Sequence, residues 1–525
     1  TSCTTRTSPT RPAARSRTSS TSSARGRAAS AGRGPRRGRQ GPRAPRKLKV
    51  RVALRNPSDK AAFFDQGRVD RKQGWRFTIQ ANPLVNAGGQ LKPEENMRYF
   101  FGYIERITEH SERDAEKTLE IELGPLTIPL SFARATKSYK EKSVIDIFDD
   151  CVEKLKALTV GQVPIQVEKH LARDDYPTWA IRLQYRESDW EFLKRILERE
   201  GLYFFFEHKE LETVIHLCDL YNEHADLLVS PNPFVRSDQS ISDVSSVSEI
   251  APRYVCVSGY QYLSDGLNLY AAIDTGTLTD PAPSISREKT EIDEPHTVFL
   301  EGLVTPPGDA IDNEVVLTDL NHLVARRAEE IISDCQFLQG KSTIPGLFPG
   351  MVIKVEGFPD ICPLGESLFI AEVRHFGDSR IVDSPGVSYA NEFKAYRMTG
   401  SEKVQFRPSR LTPKPRIPGF VTGFINAYRY PSTSNPDSAD RDALGRFNVV
   451  FQFDAFDGTI DSSNVFRARS IQPGAGNRGG TYHALYDGTE VVIGFYKGDP
   501  DQPIIVGSVF NTVDADPSVD AIHYV

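Results

Sequence analysis

From residue 48 onward, apolar and polar positions trade places in short runs. Tyr99-Phe100-Phe101-Gly102-Tyr103-Ile104 reads as a strand, with Gly102 permitting a kink or a close backbone approach. Leu119, Ile121 and Leu123 alternate with Glu120 and Glu122, the period of a strand with one buried face, and Gly124-Pro125 ends it. The period then changes. Ile147, Cys151 and Leu155 fall every fourth residue behind Ser143, which predicts a capped helix with Asp146 in its first turn. A second helix is specified more fully. Ser188 and Glu191 form a capping box, Asp189 adds first-turn charge, and Phe192, Leu193, Ile196 and Leu197 make the buried face. Gly201 supplies the left-handed residue that closes it, and Leu202 to Phe206 leaves as a strand.

Between about Ser230 and Asn391, short strands alternate with Pro/Gly turns, with one helical segment near Leu320 to Ile332. Arg407 to Gly419 holds Pro408, Pro413, Pro415 and Pro418, the composition of an extended, semi-rigid linker. Beyond it Phe447, Val449, Phe451 and Phe453 share one strand face. Further strands are predicted at Phe466–Ser470, Glu490–Tyr496 and Pro503–Phe510, separated by Gly-rich turns. Short strands at this density suggest a small closed barrel of OB type. The fold class is therefore mainly β with some helix (α+β). Its expected parts are a basic arm at 1–47, a hub body at 48–410, a barrel at 411–511 and a tail at 512–525.

Charge changes the picture at the amino end. Residues 1–47 hold thirteen Arg or Lys and no acid, leaving a formal −19 on the other 478 residues against −6 for the whole chain. The arm has no Leu, Ile, Val or Phe to offset the entropy of ordering, so it is expected to be disordered and dispensable. It lacks the apolar core of a secretory signal and the amphipathic face of a transit peptide. A mis-assigned start or an out-of-frame translation of GC-rich sequence accounts for it, and a phosphate-binding tail stays open. The acidic remainder repels phosphate backbones, so no nucleic-acid partner is expected.

Candidate chemistry is sparse. The cysteines, Cys3, Cys151, Cys218, Cys256, Cys335 and Cys362, are far apart and read as reduced, mostly buried thiols. Gln339-Gly340-Lys341-Ser342-Thr343 approaches a phosphate-binding loop, but the leading glycine of that motif would fall at Cys335. Glu187, Asp189, Glu198 and Glu200 could supply an acid/base pair, although capping and solvent-facing roles explain all four. Glu207-His208 and His216 lie on adjoining strand-like runs and could hold a metal; isolated strand histidines are more often structural or exposed. No GxSxG elbow occurs. No catalytic residue, cofactor or metal is expected.

Two stretches carry a family resemblance. The first is Gln184-Tyr185-Arg186-Glu187-Ser188-Asp189-Trp190-Glu191-Phe192-Leu193, running on through Gly201 to His208. The second begins at Gly445-Arg446-Phe447 and passes Phe466-Arg467-Ala468-Arg469 and Gly488-Thr489-Glu490. It closes as Gly498-Asp499-Pro500-Asp501-Gln502-Pro503, with Gly507 and Asn511 beyond. Both resemble the VgrG proteins of type VI secretion systems, relatives of phage tail hubs, and the likeness covers roughly residues 95–511. Phe466 stands where that family usually has Trp, and Leu485-Tyr486 where it usually has a Pro-containing turn. The family's first hub strands would occupy the region of the basic arm and are expected to be missing or mistranslated, and the family's β-helical needle is expected to be absent from this sequence, which stops at Val525.

The resemblance implies a hub of β-barrel-like domains followed by a small OB-like spike-base barrel, assembled as a homotrimer on a hexameric tube protein. Baseplate components and a tip-cap protein or effector cargo would be further partners. It implies assembly in the bacterial cytoplasm, then secretion or delivery into target cells, with a target membrane met only during puncture. A phage or prophage baseplate hub is the neighbouring reading, and a spike-borne secreted hydrolase the reading from another class. The residues Gln184, Tyr185, Glu187, Ser188, Asp189, Gly201, Gly445, Arg446, Arg467, Gly488, Glu490, Gly498, Asp499, Pro500, Pro503, Gly507 and Asn511 are implied to serve structure and assembly.

Overall fold

The computed structural model describes residues 48–53, 75–80, 97–110, 118–159, 164–173, 176–209, 211–220, 241–249, 254–260, 268–275, 288–292, 313–344, 346–355, 358–361, 366–377, 389–398, 403–425, 445–454, 465–476 and 485–510, with a few positions between these. The basic arm and the tail with Asn511 lie outside the described residues.

Strands β1 (Leu48–Ala53), β2 (Trp75–Gln80), β3 (Met97–His110) and β4 (Thr118–Gly124) form an antiparallel sheet in the order β1-β4-β3-β2. Gly102 on β3 is there for close approach: a Cβ would lie 2.3 Å from the Gly124 carbonyl oxygen. The expectation of one buried face on β4 needs correction. Glu122 is buried between Ile121 and Leu123, with its carboxylate 3.9 Å from the Arg106 guanidinium.

A short helix, α1 (Pro129–Phe132), leads to β5 (Arg134–Tyr139), α2 (Val144–Leu158), β6 (Ile165–His170) and β7 (Arg182–Ser188), and β7 pairs with β5. Helix α3 (Asp189–Glu200) follows without a break, then β8 (Tyr203–His208) and β9 (Thr213–Cys218). These make a sheet ordered β6-β9-β8, with β6 parallel to β9. Both predicted capping boxes form. Ser143 and Ser188 each accept the amide of the residue three on, while Asp146 and Glu191 accept the cap amides in return. The apolar stripes of α2 and α3 meet one side of the β6-β9-β8 sheet in a core containing Phe148, Leu155, Phe192, Ile196, Phe206 and Leu217. Each such side chain removed from water contributes about 1.5–3 kcal/mol.

The rest of the hub starts at β10 (Ile241–Ser248). Strands β11 (Tyr254–Tyr260), β12 (Asn268–Asp274) and β13 (Glu288–Ile292) form a small sheet against α4 (Asn313–Cys335), longer at both ends than the predicted segment. Then β14 (Gln336–Ser342), β15 (Val352–Lys354), β16 (Ser367–Gly377) and β17 (Tyr389–Arg397) complete a sheet ordered β10-β14-β17-β16-β15. A core of Tyr203, Phe205, Val352, Phe369, Tyr396 and Phe406 joins this sheet to the other side of β8.

The last five strands are β18 (Val421–Ile425), β19 (Arg446–Phe451), β20 (Phe466–Ser470), β21 (Glu490–Phe495) and β22 (Pro503–Ser508). They close into a barrel ordered β18-β19-β20-β22-β21, in which β20 and β22 run parallel and β18 seals against β21. That is the small closed barrel the spacing predicted. Phe447, Val449, Phe451, Phe466, Val491, Ile493 and Ile505 fill it. β19 pairs with β20 over Arg446–Val449 and with β18 over Val449–Phe451, and Phe447, Val449, Val450 and Phe451 are fully buried.

Candidate functional site: the charged joint between hub and barrel

The Pro-rich stretch is not a spacer. Residues 403–420 have no regular structure, yet hydrogen bonds fix them along α3 and α4 and onto the barrel. Arg407 is buried. Its guanidinium contacts Asp219 Oδ1 at 2.6 Å, the Gly201 carbonyl at 3.1 Å and Glu329 at 2.7 Å. The Ser409 hydroxyl donates to Asp334, and the Arg410 amide donates to Glu330 at 2.8 Å. Glu198, near the end of α3, accepts the amides of Leu411 and Thr412 at 3.0 and 2.8 Å. Prolines lack amide donors, so the amides available for these bonds come from the residues around them.

The strap ends at a buried carboxylate. Asp501 accepts the Leu183 amide at 2.9 Å and pairs with Arg182 at 3.1 Å and Lys414 at 2.8 Å, joining β7, the strap and the turn before β22. Burial alone would raise its carboxyl, but Lys414 and Arg182 hold it well below the usual range. Arg182 in turn lies over the Trp179 ring, and burial lowers it to about 10. Apolar contact follows the same line, since Ile181, Leu183 and Ile417 belong to the barrel's own core.

Around the start of α3, four motif residues converge. Gln184 donates to the Glu187 carbonyl at 3.0 Å and to Asp189 at 3.1 Å. Glu187 takes a two-pronged pair from Arg195 at 2.9 and 2.8 Å, Ser188 caps the helix, and Asp189 also pairs with Lys154. Tyr185 packs against the barrel core. At the far end of α3, Glu200 holds Arg199 at 2.7 Å and Arg326 at 2.9 Å. Burial works against its charge, but those cations bring the carboxyl down to about 2.

The barrel's motif residues are spread out rather than gathered. Gly445, Gly488 and Gly498 take left-handed turns, Arg446 is buried on β19, and Arg467 lies on β20. Glu490 and Pro503 start β21 and β22, and Gly507 faces Val492 across the same pair. Asp499 binds Lys414 at 2.5 Å and the Asp501 amide at 3.0 Å, with Pro500 buried between them.

This architecture has known counterparts. The profile of the phage tail baseplate hub (GPD) family matches residues 58–380, more than half of the chain. The chain belongs to that family. A second profile, the type VI secretion system/phage-baseplate injector OB domain, matches residues 437–510, and together the two place the chain among the VgrG-type hubs. The type VI secretion system spike protein VgrG1a of Pseudomonas aeruginosa is 23% identical over 80% of this chain and 60% of its own length. The actin cross-linking toxin VgrG1 of Vibrio cholerae is 23% identical over 85% of this chain and 39% of its own. The chain thus spans less than two thirds of either relative's length. In fold it is similar to the E. coli c3393 protein, a component of the type VI secretion system, with TM-score 0.50 and 18% identity over 88% of this chain and 96% of that one.

The weaker motifs resolve against that frame. Gln339 to Ser342 of the loop-like motif sits inside β14, hydrogen-bonded on both sides, so it cannot wrap a phosphate. The carboxylates Glu187, Asp189 and Glu200 do not face solvent as expected. They are buried and spent on Arg195, Lys154 and Arg326, and Glu198 is spent on the strap. His208 faces away from His216, bonding Thr213 at 3.0 Å on the other side of the sheet. His216 instead meets Glu207, Glu168 and His170, the last two unremarked in the sequence. Sequence reasoning also missed Arg182, Asp219, Arg326 and Arg407. Their spacing carries no local signal, because the ion-pair partners lie from 78 to 319 residues away in the chain.

Proposed function

We propose that this chain is the hub and spike base of a contractile injection machine of type VI class, transmitting load instead of performing catalysis. The Arg182–Asp501–Lys414 joint, with Arg182 and Asp501 buried, carries this reading: charges locked across β7, the strap and the barrel turn make hub and barrel one stiff lever. In this reading residues 48–410 are the hub and 411–511 the spike base, and the motif residues serve structure and assembly.

Three copies assemble around one axis, and their hubs match a hexameric tube. The barrel offers the contact. Phe420 and Val506 flank Gly494, and Val509 and Phe510 lie beyond, all exposed and apolar. Baseplate proteins and a tip-cap or effector are the remaining partners. Assembly takes place in the bacterial cytoplasm before secretion or delivery. A phage baseplate hub would use the same chain in the same way. An enzymatic role would need chemistry that the buried, paired carboxylates do not offer.

Light scattering on the purified chain should give a trimer whose population grows with concentration, and the trimer should co-sediment with the tube protein of its gene neighbourhood. A monomer at all concentrations that ignores the tube protein would defeat this reading.

A further inference from the structure

The geometry points to a divalent transition-metal site, of the kind that takes zinc, formed by Glu168, His170 and His216 on one face of the β6-β9-β8 sheet. This departs from the sequence expectation that no metal is bound, and it goes beyond the hub reading without depending on it.

Register puts the three residues together. Glu168 and His170 are two apart on β6, so both side chains leave the same face. In the parallel pairing of β6 with β9, Glu168 stands opposite His216. The resulting triangle has a His170 Nε2 to His216 Nδ1 side of 3.0 Å. Its other sides, from Glu168 Oε2 to His216 Nδ1 and to His170 Nε2, are 3.5 and 3.7 Å. An ion with bonds of about 2.0–2.1 Å to each atom holds tetrahedral ligands about 3.3 Å apart, so the observed triangle needs no rebuilding. Two imidazoles and one carboxylate are a donor set suited to zinc and its first-row neighbours.

The surroundings hold this set in place. Glu207, on β8, accepts a hydrogen bond from His216 Nε2 at 3.2 Å, which leaves the Nδ1 lone pair aimed into the triangle. A carboxylate behind a histidine is the usual support for a metal ligand. Phe205 stacks on the His216 ring with centroids 4.8 Å apart, fixing its plane. Without an ion, His170 Nε2–H donates to His216 Nδ1. On binding, that proton moves to His170 Nδ1 through solvent, both nitrogens present lone pairs, and no net proton is lost. His216 is buried and His170 half-buried, while the Glu168 side chain is 49% exposed, so water reaches the remaining position. The ion would pin β6, the edge strand of this sheet, to its neighbour β9.

The test uses the untagged full chain, dialysed against Zn2+ and then passed through a desalting column, with metal content read by elemental analysis. About one zinc per chain should be retained, Tm should rise with free Zn2+, and Co2+ in its place should give visible d–d absorption of a low-symmetry site. The Glu168→Gln/His170→Gln double variant should lose the retained metal and the absorption while keeping the metal-free Tm within a few degrees. Failure of the native chain to retain zinc, or equal retention by the variant, would overturn the assignment.

Discussion

Gly201 has φ +72°, with its own amide bonded to the Glu198 carbonyl and the next amide, of Leu202, to Leu197. That is how a helix closes on a left-handed residue. A Cβ there would also lie 3.3 Å from Arg407 Cδ and 3.4 Å from Arg326 Cδ, both members of the joint. Gly201→Val should therefore cost about 1–3 kcal/mol, read as a lowered urea midpoint, and Gly201→Asn less. Asp501 and Glu200 predict an acid response. Both carboxyls are depressed on folding, so their stabilisation is complete above the unfolded values of about 4 and is lost as pH falls through the folded ones. Glu198 works in the opposite sense, because burial raises it despite the strap amides. Tm should fall most steeply below about pH 4. Asp501→Asn should flatten that fall while lowering Tm at neutral pH, since removing one partner of a buried pair costs about 3–5 kcal/mol.

At the scale of elements, α3 is the member that meets everything else. Its start gathers Gln184, Glu187 and Asp189, one face enters the hub core, and Glu198 and Glu200 near its end hold the strap and α4. The capping box at Ser188 sets where it begins, so Ser188→Ala should cost about 0.5–2 kcal/mol. Ser143→Ala, at the box that starts α2, should cost a similar amount but leave the joint untouched. Comparing the two variants by trimer population as well as by urea midpoint separates helix stability from joint alignment. These helices were legible because caps and four-residue spacing are local signals. The attachments of the extended linker were not legible, because its partners, Asp219, Glu329, Glu330 and Asp334, lie at least 75 residues away.

At the scale of the whole molecule, the hub and the barrel share a core as well as charges, through Ile181, Leu183 and Ile417. In the trimer proposed above, self-association would fall to surfaces that the single chain leaves uncovered. Phe420 is 67% and Phe510 87% exposed on the barrel, and Phe420→Asp with Phe510→Asp should raise the concentration at which trimers form by at least tenfold while leaving the monomer Tm nearly unchanged. Light scattering across a concentration series checks it.

What the sequence determined was whatever depends on neighbours in the chain. The capping boxes at Ser143 and Ser188, the closing Gly201, the close approach at Gly102 and the alternating face of Phe447, Val449 and Phe451 all follow from spacing alone. The resemblance over the same stretches added the order of hub and barrel. Tertiary structure decided where charge is buried. It turned Glu187, Asp189 and Glu200 from surface acids into anchors, made Asp501 the meeting point of three segments, and set Glu168 and His170 beside His216. The physical reason is that a helix or strand period is written in adjacent residues, whereas the partner of a buried ion or a metal-ligating histidine is chosen by chain crossings that leave no local pattern.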